Sequence, residues 1–124
     1  MLSDQNSSAI VASRDLDKAK RFYTETLGLE LADESDEVFS VKTGATHLNV
    51  YRSQEAGTNR ANAVVWDCGD EIDEIVAELK KRGVQFEHYP ELGMKIEGDM
   101  HVQDGFKAAW FKDPDGNILH INSM

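Results

Sequence analysis

Few side chains in this chain are equipped for chemistry: four histidines and one cysteine. His120 is the best placed of them. It follows "KDPDGN", in which Asp113 suits the first position of a type I turn, Pro114 presets φ for the second, and Gly116 closes the turn. Ala109, Trp110 and Phe111 read as the strand before it and Ile118 to Asn122 as the strand after it, which together make a β-hairpin. Alternation puts Ile118, His120 and Asn122 on one face and Leu119 and Ile121 on the other. An imidazole there can be a base, a ligand or a hydrogen-bonded strand residue. His47, in "THLNVYR", shares a strand face with Asn49 and Tyr51. Either histidine could act as a general base, but base catalysis needs an electrophilic partner, and the sequence offers no oxyanion arrangement or paired carboxylates. Cys68, standing alone, excludes an intrachain disulfide and a cysteine-rich zinc site, and reads as a small buried hydrophobe at a strand end.

The elements that must position these groups follow one another in a repeated order. "AIVAS" (Ala9 to Ser13) is a short apolar run of buried-strand type. "DLDKAKRFYTETLG" then changes to helical spacing, with Leu16, Ala19, Phe22, Tyr23 and Leu27 on one stripe, Asp15 as N-cap and Gly28 as terminator. "LELAD", "EVFSVKT" and "THLNVYR" are three strands, the last two joined at Gly44-Ala45. The polar segment Ser53 to Ala61 is a linker. "AVVWDC" is again a strand, and "DEIDEIVAELKKRG" again a helix, its inner stripe made by Ile72, Ile75, Val76 and Leu79. Glu71, Asp73 and Glu74 near its start and Lys80, Lys81 and Arg82 near its end complement the helix dipole. "VQFEHY" and the closing hairpin supply three more strands. Residues 90–106 form a lid or rim able to bring Met94, Met100, His101 and Phe106 inward, or else an extended edge strand with a surface loop.

The chain is thus βαβββ twice, residues 8–52 and 62–124 around the linker 53–61, within one domain, 1–124. Gly28 and Gly83 each stand thirteen residues after an N-cap aspartate, Asp15 and Asp70, and this register sets Ser8 opposite Ala63. Each helix covers one face of its sheet. The predicted fold is α+β: a curved sheet of about eight strands with an open hollow on the uncovered side.

Composition narrows the partners. With 40% hydrophobic and 29% charged residues, 124 residues suffice for one ordered core. Thirteen basic against twenty-three acidic residues give a charge of −10, which repels nucleic acid and anionic membranes. "MLSDQNSS" has no cationic start leading into an apolar run, and no stretch has membrane-spanning length, so a cytoplasmic location is expected.

"SRDLDKAKRFYTETLGLEL" and "AAWFKDPDGNILHI", with the repeated element order, resemble the vicinal oxygen chelate superfamily of glyoxalase I, bleomycin- and fosfomycin-resistance proteins and extradiol dioxygenases. In its metal-dependent members, the resemblance implies, histidine or glutamate from the first and last strands of each module holds a divalent ion in the hollow. The matching positions here are Ser8, Asn49, Ala63 (Val64 if the strand shifts by one) and His120. One imidazole, one amide and one hydroxyl make a poor site for zinc, nickel or iron. No cofactor is expected; a divalent ion, if held, would use His120 and His47. The resemblance therefore implies a metal-free protein that binds a small organic molecule in the hollow, against Ser8, Ile10, His47, Asn49, Tyr51, Ala63, Val65, Trp110, His120 and Asn122. The alternative it leaves is a metal-dependent lyase or isomerase of the lactoylglutathione-lyase kind, or a dioxygenase, with relocated ligands. It also implies a homodimer in which a partner subunit completes the hollow.

Overall fold

A computed structural model describes residues 1–124, and in it the apolar stripe of each helix lies on one face of its own mixed sheet. The first module contains β1 (Ala9–Ser13), α1 (Leu16–Arg21), β2 (Glu30–Glu34), β3 (Val38–Thr43) and β4 (Thr46–Arg52), in the sheet order β1-β4-β3-β2. The second contains β5 (Asn62–Asp67), α2 (Ile72–Lys81), β6 (Phe86–Glu87), β7 (Lys95–Glu97), β8 (Met100–Gln103), β9 (Phe106–Lys112) and β10 (Ile118–Asn122), in the order β5-β10-β9-β8-β7, with β6 also paired to β9. The first strand of each module runs parallel to the last, β1 with β4 and β5 with β10. The repeat read from the sequence is therefore a repeat of sheet topology.

Three local features depart from the sequence reading. Extended pairing in "VQFEHY" is confined to Phe86–Glu87, because the 3-10 turn Pro90–Leu92 and Gly93, at φ +79°, turn the chain away. β6 pairs only with Trp110 and Phe111 of β9, and the first part of β9, from Phe106 to Ala108, pairs with β8, from the segment read as a lid or rim or else as an edge strand. Asp104 and Gly105 supply the reason: both have positive φ (51° and 83°), the conformation of a two-residue hairpin turn, for which Asp-Gly is a favoured pair. The first helix also loosens after Arg21 into a π-helical turn, Phe22–Thr26, in which the Leu27 N–H donates to the Phe22 carbonyl. Finally, Asp15 caps α1 by accepting from the Lys18 N–H at 3.1 Å, but Asp70 caps nothing. Gly69, at φ +56°, starts a 3-10 turn that carries Asp70 into the lead-in to α2.

One continuous apolar cluster joins the modules: Val11, Phe39, Leu48 and Val50 from the first meet Phe111, Leu119 and Ile121 from the second, with Leu16, Tyr23, Ile72 and Leu79 from the helical segments above. Fully burying side chains of this size contributes roughly 1.5–3 kcal/mol each, so neither sheet would keep this stabilisation alone.

The closing turn ties the modules together through polar contacts. The Gly116 N–H donates to the Asp113 carbonyl at 3.0 Å, as the type I reading requires. The Asn117 side chain donates to the Ala12 carbonyl at 2.8 Å and accepts from the Gly57 N–H at 3.3 Å, while the Asp115 carboxylate accepts from the Arg14 N–H at 2.8 Å. Gly57 is held at φ +77° so close to this turn that a Cβ would stand 2.0 Å from the Asp115 carbonyl oxygen. Gly57→Ala combines backbone strain with that collision and is expected to lower unfolding free energy by about 2–3 kcal/mol. Urea denaturation of the two proteins checks this.

Candidate functional site

Strand alternation sorts the predicted residues. In β1, Val11 and Ser13 are buried beneath the helix, and Ile10 points to the opposite face, 60% exposed. In β4, Leu48 and Val50 are fully buried, and His47, Asn49 and Tyr51 take the alternate positions on the opposite face. The parallel pairings place Ile10 against Asn49 in the first module and Val65 against His120 in the second, so these four form equivalent pairs. Val65 is 54% and Tyr51 40% exposed, and in the single chain the uncovered face is open around them. Ser8 is exposed just before β1. Ala63 sits at an irregularity in the β5–β10 register, between the pairs Asn62–Ile118 and Val64–Leu119, and packs against the core.

His120 forms one end of an aromatic wall centred on Trp110. Its ring stacks on Trp110, with centroids 4.6 Å apart and planes 23° apart. Trp110 meets His101 edge-on at 4.8 Å and Tyr89 edge-on at 5.4 Å, and its Nε1–H donates to the Asn62 side chain at 3.1 Å. Both ring nitrogens of His120 are engaged: Nδ1 lies 3.2 Å from the Ala109 carbonyl and so carries the proton, leaving Nε2 to accept from the Asn122 side chain at 3.3 Å. The Asn122 side-chain oxygen, Oδ1, accepts in turn from the Met124 N–H at 3.0 Å. Sequence reasoning placed His120, Asn122 and Trp110 together but missed Tyr89 and Asn62, and it placed His101 only on a rim. The signal for His101 was the Asp104-Gly105 hairpin, which pairs His101 with Ala108 and so sets it on the face that carries Trp110.

His101 is fully buried, and its Nε2 accepts from the Tyr89 N–H at 2.9 Å. Burial pushes both His101 and His120 below the ordinary imidazole value, more strongly than nearby carbonyls and carboxylates raise them. The fold keeps both rings neutral, while the unfolded chain protonates below about pH 6.5. The unfolded state then binds more protons, so stability falls as pH falls. Unfolding free energy from urea titrations is expected to decline below about pH 6.5, by at most about 1.4 kcal/mol per pH unit for each ring, and His120→Gln should reduce the slope.

The donors at the family's ligand positions do not fit a transition-metal centre. They are a serine hydroxyl, an alanine, an amide whose oxygen accepts from the Ser40 hydroxyl, and an imidazole whose free lone pair is occupied by Asn122. Nowhere do three or more His, Cys, Asp or Glu side chains gather as a metal would require. His47, on the same strand face as Asn49, brings no carboxylate with it.

The sequence profile of the Glyoxalase/Bleomycin resistance protein/Dioxygenase superfamily matches residues 7–121. This chain belongs to that superfamily. The match takes in both βαβββ modules, the closing hairpin and the aromatic wall. Among solved structures, a lactoylglutathione lyase from Agrobacterium tumefaciens is 20% identical, with 94% of this chain and 91% of that one covered and a TM-score of 0.71. A bleomycin resistance determinant encoded on the transposon Tn5 is also 20% identical, with coverage of 95% and 96% and a TM-score of 0.69. UcmS2 superposes at a TM-score of 0.74 with 17% identity, covering 97% and 98%. These likenesses establish the fold. Curated protein sequences gave no significant match.

Proposed function

We propose that this superfamily member binds a small planar organic molecule, without a metal ion, on the uncovered face of its sheets. The observation that carries the reading is the stack of His120 on Trp110: the side chain at the last ligand position serves as an aromatic wall, with both ring nitrogens hydrogen-bonded. Such a wall favours a flat, partly apolar ligand held by stacking, with Asn49, His47 and Tyr51 across the face as polar contacts. Ile10, Tyr51 and Val65 are exposed along the same face, which supports a homodimer in which a second copy covers them and completes the pocket. Within the superfamily the donor set favours a binder of the bleomycin-resistance kind over a lactoylglutathione-lyase-like enzyme, whose chemistry would need donors that Ser8, Asn49 and Ala63 lack, and the acidic charge suits a cytoplasmic protein.

The test is a thermal-shift panel of planar aromatic drugs and metabolites, bleomycin among them, on protein freed of affinity tag, followed by NMR of the Trp110 indole N–H with each compound that stabilises the fold. Stabilising compounds should move the Trp110 signal with chelator present. Stabilisation that disappears with chelator, or that never reaches Trp110, would contradict the reading.

A further inference from the structure

On the helix-covered side, away from the aromatic wall, a cavity of about 230 Å³ opens between the end of the first helix, α2 and the sheets. Eight of its nine lining residues are apolar, among them Leu29, Trp66, Cys68, Ile75, Leu79 and Phe111. We propose that this cavity is a second binding site, for a small neutral aromatic molecule of about ten non-hydrogen atoms, by comparison with an apolar cavity of about 150 Å³ that stays dry and accepts benzene.

The lining decides the chemistry. The Trp66 Nε1–H donates to the Thr43 hydroxyl at 2.8 Å, so the indole donor is already paired within the cavity's own wall, and the one polar lining side chain, Thr43, has only its hydroxyl proton left to offer a guest. The Cys68 thiol lies 3.6 Å from the Trp66 carbonyl, and burial raises its pKa, so it remains protonated and uncharged. A charged guest would lose its water and regain at most that single hydroxyl bond. Two ring systems, Trp66 and Phe111, favour an aromatic guest over an aliphatic one. The volume is too small for a helix or a peptide segment, and the apolar lining, open on one side, gains by covering it with an apolar guest. The site is separate from the uncovered face and does not rest on the function proposed for it. The two are nonetheless back to back: Phe111 and Ile121 line this cavity, and their strand neighbours Trp110 and His120 form the wall.

The two tryptophans give each site its own reporter, so the wild-type protein can be tested without a variant. Indole, a neutral bicyclic probe, is titrated into ¹⁵N-labelled protein while the indole N–H signals of Trp66 and Trp110 are followed. The expected result is a saturable shift at Trp66 and at the Cys68 amide, whatever the response at Trp110. Indole-3-acetate, which adds a carboxylate to the same ring system, is expected to bind Trp66's site at least about tenfold more weakly because its charge must be desolvated. No saturable Trp66 shift up to the solubility limit of indole would overturn the proposal, as would a response at Trp110 alone. Equal binding of indole-3-acetate at Trp66 would overturn the assignment to neutral ligands.

Discussion

Asp113→Ala is expected to lower unfolding free energy by about 3–5 kcal/mol, the largest stability loss of any single substitution considered for this chain. The Asp113 carboxylate is 5% exposed and accepts four hydrogen bonds. One oxygen takes the backbone N–H groups of Asp115 (3.0 Å) and Asn117 (2.9 Å); the other takes the Tyr23 hydroxyl (2.7 Å) and the Asn117 side-chain amide (2.8 Å). Burial raises the Asp113 pKa even though these donors pull it down, a sign of how dry the position is. Truncation would strand the Tyr23 hydroxyl, on a fully buried side chain, and release Asn117 from the orientation in which it reaches Ala12 and Gly57. Removing one partner and leaving buried donors unpaired costs more than the net value of the bonds. Tyr23→Phe removes only the hydroxyl and should cost about 1–2 kcal/mol. Urea unfolding of the three proteins measures both values, and near-equal losses would show that Asp113 acts through Tyr23 alone.

The second large effect is on binding. Trp110→Ala is expected to weaken the affinity for any compound that moves the Trp110 signal by about 100-fold, because a buried tryptophan at the centre of a contact surface carries a disproportionate share of the energy. The indole supplies the stack with His120, the edge contacts with His101 and Tyr89 and the hydrogen bond to Asn62, so its loss also loosens the wall. Trp110→Phe keeps an aromatic face and loses the Asn62 bond; it should retain most of the affinity. Calorimetric titration of both variants separates the contributions, and the phenylalanine variant guards against reading a folding defect as a binding defect. Unchanged affinity in Trp110→Ala would remove the ligand from this wall.

How legible the molecule was in its sequence varied with the range of the interactions concerned. The closing hairpin could be read because Asp113, Pro114 and Gly116 prescribe their turn locally, and α2 because its apolar stripe and end charges agree with each other. The doubled βαβββ order followed from those elements. β7 and β8, of three and four residues, are too short to show alternation; β8 exists through its pairing with β9, and β7 through its pairing with β8. The clue to β8 was the Asp104-Gly105 turn rather than any apolar pattern. Asp70 looked like Asp15 as a cap, but Gly69 at positive φ diverts the backbone before the helix begins. At the site, His120 and Trp110 could be placed on one face by counting along the hairpin. That their rings stack, that Asn122 occupies the remaining lone pair of His120, and that Tyr89 and His101 complete the wall are facts of tertiary packing, invisible to periodicity. The same holds for the cavity near Trp66, whose lining comes from six separate parts of the chain's fold.

In the proposed metal-free binder His120 is a wall and hydrogen-bonding residue rather than a metal ligand. Its side-chain ¹⁵N resonances, followed while Zn²⁺ and then Ni²⁺ are titrated into protein freed of tag and chelator, test this most directly. His120 is expected to keep its neutral Nδ1–H signature past one equivalent of either ion, and dialysed protein to retain neither in stoichiometric amount. A shift of His120 Nε2 that saturates at one equivalent, with the ion surviving dialysis, would contradict it.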